Sequence, residues 1–192
     1  MPEAGIALPA LRFVPEELTS STAVLYLHED GKAADASPGG PIERLVQQGS
    51  IVLAVDLRGT GQTRPTGSEG KDVYTAYLLG RSYVGLRAED IMISARYLKE
   101  QARANQPHEV RLVAVGHVGI PALHAAATEP GLFESVKLVR SLASWSAVIR
   151  SRLARVPAAQ IVHGALKTYD LPGLAATLEG RLTVEQPTDG EP

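Results

Sequence analysis

Short, mainly apolar runs punctuate this chain, each bounded by turn-forming polar stretches. Thr22 to His28, Ile51 to Asp56, Val110 to Val115, Val136 to Leu142, Gln160 to His163 and Arg181 to Val184 each predict a strand. Runs that do not alternate with polar residues belong to strands buried on both faces, the habit of parallel sheets. Helical patterns lie between them. Pro41 to Gln48 predicts a short helix stopped by Gly49. Leu86 to Asn105 predicts the longest, with Ile91, Ala95, Leu98 and Ala102 on one stripe and charged residues opposite. Pro121 to Thr128, Ser146 to Arg155 and Leu174 to Leu178 predict three more. Residues 72–85 fit neither period, with Ser82 and Asp72 as candidate caps. Strands alternating with helices imply a three-layer α/β/α sandwich around a mostly parallel sheet. Residues 1–20 are expected to be an irregular lead-in, and 21–192 one domain.

Composition narrows the functional classes. A chain of 192 residues can bury one substantial core. A net charge of -2 offers no attraction to nucleic acid or to an anionic membrane surface. The absence of cysteine excludes disulfides, thiolate metal sites and cysteine nucleophiles. No apolar run reaches membrane-spanning length, and Glu3 and Arg12 interrupt any leader-like stretch, so the expected compartment is cytoplasmic. The five histidines show no metal-ligand spacing, and no cofactor is expected.

The chemistry-bearing stretch is Val110 to Leu123. A β-branched run ends at Gly116, a sharp turn follows, and a small-residue helix opens with Pro121 in its first turn. Strand, glycine turn and helix is the layout of a nucleophile elbow, G-x-S-x-G. On that pattern Gly116 is the first glycine, and Val118 stands where the nucleophile belongs, at a turn expected to be tight and strained. Asp56-Leu57-Arg58-Gly59-Thr60-Gly61 invites a dinucleotide-binding reading. Arg64 replaces the third glycine and no helix pattern follows at once, so Asp56 and Arg58 are expected to brace a loop instead.

These pieces in this order resemble the α/β hydrolase superfamily, in particular its acetyl xylan esterase/cephalosporin-C deacetylase-like members. The resemblance rests on Tyr26-Leu27-His28 with Gly31, on Val55 to Thr63, on the elbow at 116–120, and on Ile161-Val162-His163-Gly164 leading to Asp170. It covers residues 22–185. It implies a compact or truncated α/β-hydrolase fold, a carboxylic ester hydrolase and a small-molecule ester substrate, with Asp170 as the acid. Val118 departs from the family pattern, and so does the stretch after Val184, which holds no histidine. Activity is therefore expected to be weak, rebuilt or lost. A rebuilt site would draw on Ser144, Ser146 or Ser82 as nucleophile, on His117, His28 or His163 as base, and on Asp170. The alternative is a non-catalytic hydrolase-like domain acting by binding or by homo-oligomerisation.

Overall fold

The computed structural model describes residues 5–67, 70–101, 109–178 and 180–190. At its centre β2 (Thr22–His28) lies between two parallel neighbours, β3 (Val52–Val55) and β4 (Glu109–Val115). β5 (Ser135–Val139) and β6 (Leu182–Glu185) continue the parallel sheet beyond β4. β1 (Ala10–Phe13) closes the other edge, antiparallel to β3. The order is β1-β3-β2-β4-β5-β6. Every residue of β2 is buried, because both of its edges and both of its faces are covered.

The connections are helical: α1 (Pro41–Gln47), α2 (Gly70–Leu78), α3 (Tyr83–Glu100), α4 (Gly119–Thr128), α5 (Trp145–Arg150) and α6 (Leu171–Ala176). The pleat sends alternate strand residues to opposite faces. Leu25, Leu27, Leu53, Leu112 and Leu138 meet Ile91, Ala95 and Leu98 of α3 and the alanines of α4 in the larger core. Val24, Tyr26, Val52 and Ala54 meet Ile42 of α1 in the smaller one. The chain runs from β2 outward to β3, then returns to place β4 on the other side of β2. That reversal leaves a crevice at the carboxyl ends of β2 and β4, where ligands bind in open α/β sheets.

Several elements differ from expectation: α5 stops at Arg150 rather than Arg155, α6 begins at Leu171 rather than Leu174, and four stretches differ more. Residues 160–163 are not a strand. Ala158–Gln160 forms a 3-10 turn after Pro157, Ile161 is exposed, and Gly164 turns the chain at φ 74. The position beside β5 is taken by β6 instead. β5 ends early because Arg140 adopts φ 51, and pairing resumes only as a bridge between Leu142 and Thr188. Within the stretch read as irregular, residues 10–13 pair as the edge strand β1. The unassigned stretch 72–85 holds most of α2 and the start of α3, which Ser82 caps by accepting from the Gly85 N–H. The predicted end of the long helix, with Ala102, lies outside the described residues.

Candidate functional site

β4 passes into α4 through a single 3-10 turn, Gly116–Val118. The left-handed residue of this turn is Gly116, at φ 77. Val118 is helical, at φ -70 and ψ -6, and buried. The tight turn is therefore present, but its left-handed position is Gly116, and Val118, contrary to expectation, is unstrained. The reason is local: glycine occupies the left-handed region without steric cost, whereas a β-branched residue would be strongly disfavoured there. Val118 instead packs into the larger core.

Opposite this turn stands Glu29, the first residue after β2. Its backbone N–H donates to the Val115 carbonyl at 3.1 Å, so the ends of β2 and β4 are tied together. Its carboxylate Oε2 accepts the His117 backbone N–H at 2.9 Å and lies 3.4 Å from the His117 ring Nε2. A Cβ placed on Gly116 would collide with this carboxyl group. Glu29 thus fills the space a side chain of the turn would need. It lines a crevice of 260 Å³ with Thr60, Arg64, Arg87, His117 and Gln160.

The D-x-R-G-x-G segment forms one wall. Asp56 is buried and accepts from the Lys32 N–H at 2.6 Å, Lys32 Nζ at 2.5 Å and the Gln62 N–H at 3.0 Å. Burial raises its carboxyl pKa, and these donors outweigh that and hold it below the usual carboxylate range. Gly61 lies against the same carboxylate at φ 49, an approach that any Cβ would block. Arg58 does not pair with Asp56. Its guanidinium grips buried Asp90 bidentately, at 2.8 and 2.6 Å. The segment is a clamp that holds the crevice wall to β2 and α3.

Ser144, Ser146 and Asp170 meet elsewhere. Asp170 Oδ2 accepts from Ser144 Oγ at 2.7 Å and the Ser146 N–H at 3.2 Å, while Oδ1 accepts the N–H groups of Trp145 and Leu171 at 2.9 and 2.7 Å. Burial pushes its pKa up, but these hydrogen bonds prevail and hold it at about 2. Ser144 caps α5 through the Ala147 N–H, and Asp170 caps α6. The histidine packed here is His124, whose ring lies 5.8 Å from those of Trp145 and Tyr169. Its Nδ1 must donate to the Ile120 carbonyl, so Nε2 accepts from the Tyr169 hydroxyl at 2.9 Å. Burial lowers its pKa, in keeping with a neutral ring.

The remaining candidates are scattered. His28 is buried beside Asp30 and Asp35 and does not line the crevice. His163 packs edge-on against Tyr77 in a separate cleft of 560 Å³ beside α2. Of the predicted site residues, only His117 borders the 260 Å³ crevice. Glu29 is not among the residues that the sequence pattern singles out. The signal that finds it is topological: adjacent parallel strands bring the residues after β2 and β4 together.

No protein-family model matches the chain, and no curated protein matches it. Solved structures do. Est1E from Butyrivibrio proteoclasticus, in a structure with ferulic acid bound, aligns at 12% identity with a TM-score of 0.56, over 91% of this chain and 68% of that one. A protein described as a probable hydrolytic enzyme from Pseudomonas aeruginosa aligns at 19% identity with a TM-score of 0.52, over 77% of this chain and 41% of that one. This chain thus spans less than half of the second protein's length. At such identities the likeness is one of fold: the chain has an α/β-hydrolase fold in compact form.

Proposed function

We propose that this chain is an esterase-like α/β-hydrolase protein, resembling the acetyl esterase group, that has lost elbow chemistry. Its ester hydrolysis is slow and proceeds without an acyl-serine intermediate. The observation that carries this reading is the β4–α4 turn, where Gly116 holds the left-handed position, Glu29 fills the side-chain space and Val118 is core. An elbow nucleophile sits on such a strained strand-to-helix turn, and neither glycine nor valine can attack a carbonyl. Ser144 and Asp170 form no substitute triad, because their hydrogen bonds cap helices and their neighbouring histidine is bound to Tyr169.

The test is hydrolysis of p-nitrophenyl acetate together with fluorophosphonate treatment. Slow turnover that survives the phosphonate supports the reading. Fast turnover abolished by it contradicts the reading. A non-catalytic, self-associating role draws support from exposed Tyr74, Tyr77, Leu78 and Leu79 on and just after α2. Light scattering that reports a monomer at tens of micromolar would remove that alternative.

A further inference from the structure

We propose that Glu29 is the general base of a serine-free hydrolysis of short acyl esters in the β2–β4 crevice. The inference rests on the esterase-like reading above and adds the group that does the chemistry.

Three observations converge on this carboxylate. It occupies, from the neighbouring strand, the volume in which a side chain on the left-handed residue of the turn would lie. It is positioned: Oε2 is held by the His117 N–H at 2.9 Å, while Oε1 takes no hydrogen bond from the described residues. It is reachable, with 27% of its side chain exposed. Three buried or part-buried carboxylates near the site are engaged. Asp56 is clamped by Lys32, Asp90 by Arg58, and Asp170 by donors from two helices. Among the described residues lining the crevice, Glu29 is the acidic one, and a base needs an unoccupied lone pair within reach of its proton.

The crevice sets the substrate class. Its 260 Å³ suits an acetyl-sized acyl group rather than a long chain. Arg64 Nη2 lies 3.4 Å from both the Glu29 carbonyl oxygen and Asp30 Oδ1, which keeps a guanidinium at the rim. In the reaction, water attacks the ester carbonyl carbon while Glu29 Oε1 takes the water proton. The carbonyl π pair moves onto oxygen, and that oxyanion forms beside Arg64. Collapse re-forms the carbonyl and breaks the bond to the alkoxy oxygen. The proton on Glu29 passes to the leaving alkoxide. The products are an acid and an alcohol, and Glu29 is again a carboxylate.

The experiment compares the full chain with Glu29→Gln and Glu29→Ala on p-nitrophenyl acetate. Glutamine can still accept the His117 N–H, so the turn is retained, and circular dichroism and melting should match the parent. The proposal expects a rate loss of about 10²-fold in Glu29→Gln, the usual scale of general-base catalysis. It also expects partial rescue of Glu29→Ala by added formate. A folded Glu29→Gln with the parent's rate would overturn the role of Glu29 and leave the serine-free reading standing. No hydrolysis by the parent above buffer would overturn both.

Discussion

Two regions at the carboxyl end of the sheet invite opposite conclusions. Around Asp170, the residue types of a hydrolytic triad gather: Ser144, Ser146, Asp170 and, through Trp145 and Tyr169, His124. The crevice beside Gly116 is lined by Glu29, His117, Thr60, Gln160 and the arginines Arg64 and Arg87, with no serine among the described residues that line it. Yet the first region is closed. Its carboxylate takes hydrogen bonds from two helix starts, and its histidine is fixed between a backbone carbonyl and a phenol. The second is open, with a positioned carboxylate at the point where strand order reverses. Residue types alone do not make a site. Open volume and hydrogen-bonding capacity not already engaged by the fold decide between structure and chemistry.

The comparison breaks if Asp170 is more than a cap. Asp170→Ala removes the acceptor for α5 and α6 together and should cost about 3 kcal/mol in denaturant melts. Ester hydrolysis per folded molecule should not change; a parallel loss of activity in folded protein would make Asp170 functional. A smaller effect is expected at the turn. Gly116→Ala forces a side chain into left-handed backbone and onto Glu29, at a cost of about 2 kcal/mol. Combining it with Glu29→Gly should return part of that loss, and a double-mutant cycle without coupling would show that Glu29 does not occupy the position.

His124 sharpens the contrast through pH. Its folded pKa lies below the unfolded value of about 6.5, so the unfolded chain binds the extra proton. Stability should therefore be complete above that pH and fall as pH drops through it, by at most about 1.4 kcal/mol per pH unit. Chemical denaturation of His124→Gln should lack this slope. Asp170 adds a second loss at lower pH, between the ordinary carboxylate range and its own value of about 2. The smallest effect is expected away from both regions. Arg111 and Glu134 pair at 3.1 Å on the surface, and Arg111→Ala should cost less than about 0.5 kcal/mol in the same melts.

Much of the fold was legible because burial leaves a direct mark on sequence. β3 is apolar throughout, β2 is apolar between Thr22 and His28, β4 is apolar but for Glu109 and Arg111, and the stripe of α3 repeats at helical spacing. The segment 160–163 misled because four residues of β-type composition do not reveal whether a sheet edge is free to receive them. Pro157 and Gly164 set a local turn, and Leu182–Glu185 takes the edge. At the site, the pattern G-x-S-x-G located the turn but misassigned its left-handed residue. Backbone conformation follows steric cost, and Gly116 bears it more cheaply than Val118. Glu29 was hidden because its significance comes from the pairing of β2 with β4, and that neighbourhood is set by topology.

The central claim is that no covalent intermediate forms at the β4–α4 turn. Intact-mass spectrometry tests this most directly, on the full chain incubated first with a fluorophosphonate and then, rapidly quenched, with excess p-nitrophenyl acetate. The account predicts the unmodified mass in both samples while nitrophenol accumulates slowly. A stoichiometric phosphonyl adduct, or an acetyl adduct that decays as turnover ends, mapped to a serine, would contradict it.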